Sequence, residues 1–192
     1  MHFSQLAAVA ALAGLCANCS GDAGRAMTYV SLPDAGQLFP NLTLQGVRSA
    51  ATVDTPAEVS TSEYYDPSGA SYDLLHVIGL FMWCPHCNNE TNNLSAISAW
   101  QVDHRVAVVQ IAMQGYGSAS PSWSELQKWV GDHNLNFPVL VDGQGAQLKQ
   151  YFSVNYVPLN IVVNPRTMEV LDVTIGEVSD CQSYEQGFLT KV

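Results

Sequence analysis

The fold of this chain is decided by one stretch, Leu80-Phe81-Met82-Trp83-Cys84-Pro85-His86-Cys87. It joins an apolar run over residues 74–82 to a Cys-x-x-Cys motif, and polar residues that can open a helix follow. Two cysteines three positions apart in a helix lie one turn from each other on the same face, so their sulfurs can bond. The motif therefore predicts a redox-active cysteine pair where a strand passes into a helix.

The two cysteines are predicted to have different roles. A thiolate is the nucleophile, and a sulfur at a helix N-terminus faces unpaired backbone N–H groups and the positive end of the helix dipole. Cys84 is therefore the predicted attacking cysteine. Cys87, inside the first turn and more buried, is predicted to resolve the mixed disulfide. His86 is predicted to donate a hydrogen bond or positive charge to the Cys84 thiolate, which would make the disulfide more oxidising.

Two other interpretations of the motif compete with the redox one. A zinc site needs further ligands, but no second Cys-x-x-Cys or His-x-x-x-His follows, and Cys181 stands alone. A purely structural disulfide is also open, although so short a loop would constrain the unfolded chain weakly.

Composition limits the class of protein. The chain has 192 residues, of which 47% are hydrophobic and 12% charged, so it is globular and suits one domain plus a tail. It carries 17 acidic against 7 basic residues, a net charge of −10. This balance disfavours a nucleic-acid partner or an anionic membrane surface.

Residues 1–26 are predicted to be an export leader, and residues 27–192 the domain. An uncharged apolar run over residues 6–15 is too short to span a bilayer but typical of an export signal, although residues 1–5 lack Lys and Arg. Cys16 and Cys19 follow this run, which resembles the lipid attachment site of bacterial lipoproteins. The residues before them are not the usual small ones, so ordinary cleavage is the alternative. We expect the protein in the periplasm or outside the cytoplasmic membrane, with membrane contact only through such an anchor.

The remaining pattern alternates strands and helices. Apolar and alternating runs predict strands within residues 39–46 and over residues 72–82, 105–113, 137–141, 159–163 and 169–175. Helical spacing and a capping box at Ser122 predict helices over residues 84–100, 122–133, 146–152 and 179–189. This order predicts a mixed sheet covered by helices.

The order of elements around Trp83-Cys84-Pro85-His86-Cys87 resembles the thioredoxin fold. More closely, it is similar to the exported thioredoxin-like proteins of the TlpA/ResA group within the redoxin superfamily. The resemblance covers about residues 30–178, and its local patterns lie at residues 32–34, 39–46, 136–142 and 151–158. It implies an α/β protein of thioredoxin-like fold, with a mixed central β-sheet flanked by helices and an N-terminal β-hairpin extension.

The resemblance also implies roles for three further residues, and the position of Trp83 directly before Cys84 indicates a fourth. Pro158 would be cis and face the cysteine pair, with the Val157 backbone binding an extended substrate chain; the alternative is an ordinary trans proline. Glu90, three residues after Cys87, would tune thiol ionisation as a base; the alternative is a solvated glutamate. Trp83 would pack beside the site and contact the partner, or be only a core residue.

Some residues depart from the family pattern. Ile78 stands where cytoplasmic thioredoxins have a buried Asp, so Glu90 would act in its place. The Pro-His dipeptide is that of oxidising DsbA-type enzymes, which leaves the direction of electron flow open. Peroxidase activity is disfavoured, because the pattern Pro-x-x-x-Thr/Ser-x-x-Cys is not found around Cys84.

These observations predict an exported thiol–disulfide oxidoreductase that needs no dissociable cofactor and no metal. Its expected partners are cysteine-containing exported proteins, apocytochromes among them, and a membrane thiol–disulfide electron donor or acceptor. The alternative is a copper- or zinc-binding delivery protein that uses His86, His104 and His133. His76 is expected to be a satisfied core residue. Cys181 is expected either to pair with Cys19 or to be a buried thiol in the last helix.

Overall fold

The computed structural model describes residues 36–192. The leader predicted over residues 1–26, with Cys16 and Cys19, lies outside the described residues, as does the 32–34 part of the N-terminal pattern. No helix within residues 36–192 combines the length and apolar character needed to cross a membrane.

A seven-stranded mixed sheet is the centre of the molecule, with strand order β2-β1-β5-β4-β3-β6-β7. The strands are β1 (Thr43–Val47), β2 (Ala57–Ser60), β3 (Leu74–Phe81), β4 (Val106–Gln114), β5 (Val139–Val141), β6 (Leu159–Asn164) and β7 (Glu169–Ile175). β3, β4 and β5 run parallel, whereas β6 pairs antiparallel with β3 and β1 pairs antiparallel with β5. β1 and β2 form the N-terminal hairpin, and β6 and β7 form the predicted C-terminal one. The predicted mixed sheet is confirmed.

Four α-helices accompany the sheet: α1 (Pro85–Ala96), α2 (Ser98–Asp103), α3 (Trp123–Asp132) and α4 (Cys181–Leu189). Parallel strands need crossover connections, and these cover the sheet so that β3 and β4 are buried along almost their whole length. The larger core contains residues of β3, α1, α3 and α4, among them Ile78, Leu94, Trp129 and Cys181. A second core contains Phe39, Tyr64, Leu148 and Phe152. The cysteine motif therefore opens a helix that is packed into the larger core.

Two helices differ from their predictions. The helix predicted over residues 84–100 is broken at Ile97, which has φ −98° and ψ 9°, so α1 and α2 are separate. The helix predicted over residues 146–152 is replaced by short 3-10 turns at Gly143–Gly145 and Leu148–Gln150. The buried carboxylate of Asp142 accepts the backbone N–H groups of Gln147 and Leu148, and the segment turns around this side chain instead of winding regularly.

Candidate active site

The cysteine motif begins where β3 ends. The Cys84 N–H donates to the Phe81 carbonyl at 3.0 Å, and Pro85 is the first residue of α1. Cys84 is the N-cap of α1, and its sulfur accepts a hydrogen bond from the Cys87 N–H at 3.5 Å. Its sulfur therefore lies at the positive end of α1, as the sequence predicts.

Cys84 and Cys87 differ in their surroundings. Both are thiols in this structure, and Cys84 is 7% exposed against 1% for Cys87. Burial raises the pKa of the Cys87 thiol, and the nearby charge of Glu90 acts in the same direction. Cys84 is thus the more accessible sulfur, and Cys87 needs a base to ionise it.

The Val157–Pro158 peptide bond is cis, as the resemblance to thioredoxin-like proteins implies, and not the trans bond of the alternative. It immediately precedes β6, and the Cys84 thiol lies 3.9 Å from the Val157 carbonyl oxygen. The residues predicted to bind substrate therefore face the attacking cysteine. The exposed Tyr156 lies next to them, and the sequence analysis did not single it out.

Glu90 is buried in α1, one turn beyond Cys87, and is not the solvated glutamate of the alternative. Its Oε2 accepts the Val178 N–H at 2.6 Å and the Asn160 amide at 3.3 Å. Its Oε1 is buried without a hydrogen-bond partner in the described part of the chain. Burial raises the pKa of Glu90, although the Val178 N–H, the charge on His76 and the Asn160 amide act in the opposite direction. Glu90 thus brings to the site a buried carboxyl group with one oxygen, Oε1, that has no hydrogen-bond partner in the described residues.

His86 does not make its predicted contact. Its ring Nδ1 lies 2.6 Å from Glu177 Oε2, and its side chain is 70% exposed. The ring is paired with this carboxylate rather than with the Cys84 sulfur, because the loop after β7 carries Glu177 up to the start of α1 and a carboxylate is the stronger acceptor. The predicted hydrogen bond from His86 to Cys84 is wrong for this state of the protein.

Trp83 lies at the edge of the site, directly before Cys84. Its side chain stacks on Phe81 with the ring centroids 5.5 Å apart, and its Nε1 donates to Gln114 Oε1 at 2.8 Å. The residue remains 47% exposed. It is therefore not a core tryptophan and is accessible to a partner.

Cys181 and His76 are both buried near Glu90. Cys181 is the first residue of α4 and is a thiol that donates to the Val178 carbonyl at 3.3 Å. It is thus in the second of its two predicted states, a buried thiol in the last helix, and Cys19 lies outside the described residues.

His76 is a satisfied core residue, as predicted, and both of its ring nitrogens are hydrogen-bonded. Its partners, Asn160 and Glu185, were missed by the sequence analysis; the available signal was a polar residue inside each of two apolar strands, β3 and β6.

The three histidines of the metal alternative have separate partners. His86 pairs with Glu177, His104 stacks on Trp100 and His133 bonds to Asn92. Within residues 36–192 no group of three or more His, Cys, Asp or Glu side chains is placed to hold a metal ion. The described residues give no support to a copper or zinc site.

Comparison with known proteins agrees with this geometry. Residues 35–172, more than half of the chain, match the sequence model of the AhpC/TSA family. No curated protein matches the chain in sequence. Among similar solved structures is one described as a thiol:disulfide interchange protein DsbE from Chlorobium tepidum, with 19% identity, a TM-score of 0.63, and coverage of 83% of this chain and 98% of that one.

Two structures from Mycobacterium tuberculosis are also similar. One is a secreted disulfide oxidoreductase homologous to E. coli DsbE, with 21% identity, a TM-score of 0.53, and coverage of 79% of this chain and 96% of that one. The other is AhpC, with 15% identity, a TM-score of 0.61, and coverage of 84% of this chain and 98% of that one. At these identities the likeness shows the fold, and the predicted thioredoxin-like fold is confirmed.

Proposed function

This chain belongs to the AhpC/TSA family of redoxins, and we propose that it is a thiol–disulfide oxidoreductase acting through Cys84 and Cys87. The observation that carries the proposal is the position of the Cys84 sulfur. It lies at the N-terminus of α1, within hydrogen-bond reach of the Cys87 N–H and opposite the Val157 carbonyl. A sulfur so placed can attack a disulfide of a peptide chain that binds beside Val157.

The first step is attack by the Cys84 thiolate on one sulfur of a partner disulfide. A bond forms between Cys84 and that sulfur, the partner's S–S bond breaks, and the partner's other sulfur leaves as a thiolate. The Cys87 N–H and the dipole of α1 stabilise the Cys84 thiolate before attack. The backbone around Val157 holds the partner segment in extended form, and Trp83 contacts it from the side.

The second step is attack by Cys87 on Cys84. The Cys87 thiol first gives its proton to Glu90, one turn further along α1, and the transfer passes through one water because no hydrogen bond joins the two side chains in the described residues. The Cys87 thiolate then attacks the Cys84 sulfur, the mixed disulfide breaks, and the partner leaves as a dithiol. Two electrons pass from the cysteine pair to the partner, and a membrane dithiol donor restores the pair.

The pairing of His86 with Glu177 favours this reducing direction. A histidine cation beside Cys84 would stabilise the reduced form and make the pair oxidising. Here the nearest partner of the ring is a carboxylate 2.6 Å away, which offsets that charge. The expected substrates are disulfides of other exported proteins, apocytochromes among them, and nucleic acid is not an expected partner.

Export is part of the proposal. It rests on the leader predicted over residues 1–26, with Cys16 or Cys19 as the candidate lipid anchor. One of the similar structures is described as secreted, which supports the same location for this chain.

The reduction potential of the cysteine pair tests this function. We would equilibrate the full chain against glutathione buffers, trap free thiols, and compare it with Cys84→Ser, Cys87→Ser and Cys181→Ala. A reversible couple near or below about −270 mV is expected, lost in the first two variants and retained in the third. A reduction potential of about −120 mV would instead indicate an oxidase, with electrons flowing from the partner to the cysteine pair.

Two other outcomes would overturn the function. Absence of any reversible couple would exclude disulfide exchange. Consumption of hydrogen peroxide that depends on Cys84, without exchange, would assign the site to a peroxidase instead.

A further inference from the structure

A line of buried polar side chains leads from Glu90 away from the cysteines. Asn160 of β6 donates to Glu90, and His76 of β3 lies 2.8 Å from Asn160 Oδ1. His76 Nδ1 lies 2.8 Å from Glu185 Oε1 of α4, and the amide of Gln101 in α2 donates to both Glu185 oxygens at 3.0 and 3.1 Å. All five side chains are buried. We call Glu90, Asn160, His76, Glu185 and Gln101 the charged cluster.

The hydrogen-bond partners in this cluster allow its protons to be assigned. The Asn160 amide nitrogen donates to Glu90 and to the Gly176 carbonyl, which can only accept, so Asn160 Oδ1 faces His76. His76 Nε2 must then carry a hydrogen. Glu185 already accepts from Gln101, and as a carboxylate it also accepts from His76 Nδ1. With Glu185 as the carboxylate of this pair, both ring nitrogens donate, and we assign His76 as an imidazolium.

This cation lies between two carboxylates, one in direct contact and one reached through Asn160. Burial alone would lower the pKa of His76, but the hydrogen bond and charge of Glu185 outweigh burial and raise it. The positive charge on His76 in turn opposes the effect of burial on the pKa of Glu90. The ionisation of Glu90 is thus favoured by a histidine that is joined to it through Asn160.

We propose that His76, held as a cation by Glu185, is a positioning residue that keeps Glu90 able to ionise and so sets the pH range in which Glu90 accepts the Cys87 proton. This role deepens the proposed function and rests on it. Glu185 acts only through His76, and Asn160 joins the cation to Glu90.

The other titratable groups near this line do not supply a positive charge. The groups that act on Glu90 or His76 from the packed elements are Cys87 of α1, Cys181, Tyr184 and Glu185 of α4, and Glu177 in the loop before α4. The Tyr184 ring packs 5.6 Å from the His76 ring, and its hydroxyl donates to Asp172. Each of these groups is neutral or negative, so removal of the His76 charge has no local substitute.

The test is the titration of Glu90 in the full chain, followed by carboxyl-carbon NMR with assignment from Glu90→Gln. His76→Gln keeps hydrogen-bonding capacity and removes the charge, and Glu185→Gln removes the group that holds the charge in place. In both variants we expect Glu90 to bind its proton about tenfold more tightly, a rise of about one pKa unit. The acid limb of the pH–rate profile for partner reduction should move to higher pH by the same amount.

Three comparisons make the result specific. The double variant His76→Gln/Glu185→Gln should raise the pKa of Glu90 no further than His76→Gln alone does, because both changes abolish the same positive charge, that of His76. Gln110→Met is the matched control: Gln110 is also buried and bonded, but to the uncharged Thr91 and Trp129, so Glu90 should titrate as in the parent. Nitrogen NMR of the parent protein should show His76 protonated at both ring nitrogens, and this measurement needs no variant to fold.

The outcomes separate the two proposals. An unchanged Glu90 titration in folded His76→Gln and Glu185→Gln, or a neutral His76 ring in the parent, would overturn the positioning role and leave the Cys84–Cys87 couple standing. A shifted Glu90 in a protein without a reversible couple would overturn the proposed function, and with it any role of His76 in exchange.

Discussion

Two neighbouring residues of α1 lead into two different kinds of buried polar cluster. Glu90 begins the charged cluster, whose one cation lies between two carboxylates. Thr91 begins a neutral one: its hydroxyl donates to the Cys87 carbonyl at 2.7 Å and accepts from Gln110 at 2.8 Å, and Gln110 accepts from Trp129 at 3.1 Å. We call Thr91, Gln110 and Trp129 the neutral cluster. Both clusters reach the helix that carries the cysteines.

The two clusters differ in whether every buried polar side-chain atom has a hydrogen-bond partner. The buried polar side-chain atoms of the neutral cluster all have partners, so this cluster fixes α1 against β4 and α3 and has no proton to exchange. The charged cluster leaves Glu90 Oε1 without a partner in residues 36–192. The neutral cluster, whose buried side-chain atoms all have hydrogen-bond partners, is therefore structural. The charged cluster, which has an unpartnered carboxyl oxygen one turn from the Cys87 thiol, is suited to proton transfer.

The largest expected difference is in stability when one partner is removed from each cluster. Glu185→Leu leaves His76 buried without its counter-charge and should lower the free energy of unfolding by about 3–5 kcal/mol. Gln110→Met leaves the Trp129 N–H unpaired and should cost about 1–3 kcal/mol. Urea unfolding at pH 7 measures both, and equal losses would show that charge adds nothing to the first cluster.

The next effect concerns the resolving step. Glu90→Gln removes the proton acceptor and should slow decay of a mixed disulfide at Cys84 about 10²-fold near pH 7. Thr91→Val, one residue along α1, should leave this rate nearly unchanged, although it loses the hydrogen bond to the Cys87 carbonyl. Rapid quenching after mixing with a disulfide-bonded peptide follows the decay. Similar rates in the two variants would remove Glu90 from the mechanism.

A smaller effect should appear in the pH dependence of stability. The pKa of His76 is raised in the folded protein, so its contribution is complete below the ordinary value of 6.5 and is lost as pH rises towards the folded pKa. We therefore expect stability to fall above about pH 6.5 by up to about 1.4 kcal/mol per pH unit. The slope should flatten in His76→Gln and persist in Gln110→Met. Urea unfolding at several pH values gives the slope, and a parent curve that rises over this range would contradict the assignment.

The smallest effect should come from the exposed histidine–glutamate pair. Glu177→Gln removes a negative charge from the start of α1, which should stabilise the Cys84 thiolate and raise the reduction potential by no more than about 30 mV. Because His86 is exposed, this shift should shrink at high salt, whereas the effects of His76→Gln should not. Glutathione equilibration at low and high salt tests this contrast. A shift in the reducing direction would contradict the proposed influence of this pair.

Local sequence patterns were sufficient to predict most of the strands and helices. Continuous apolar runs predicted β3 and β4, a capping box predicted α3, and turn residues predicted the hairpin of β6 and β7. The cysteine pair was also predicted, since its chemistry depends on residues three apart at a helix start.

The parts that were missed depend on distant partners. His76 and Glu185 are separated by 109 positions, and His76 and Asn160 by 84. Similarly, the partner of His86 lies 91 positions away in the loop after β7, and a local pattern favoured Cys84 instead. In the segment after β5, one buried carboxylate, Asp142, outweighed helix propensity. Hydrogen bonds between residues so far apart produce no local or periodic pattern in the sequence, so they could not be predicted from it.

The position of Trp83 has an optical consequence. Of the four tryptophans in the chain, Trp83 directly precedes the attacking cysteine, and its half-exposed ring stacks on Phe81. A disulfide is a good electron acceptor from an excited indole, whereas two thiols are poorer ones. Trp129, buried in the neutral cluster, emits from a different environment. The oxidised protein should therefore be dimmer than the reduced one, and the chain carries its own fluorescent indicator of whether Cys84 and Cys87 are joined.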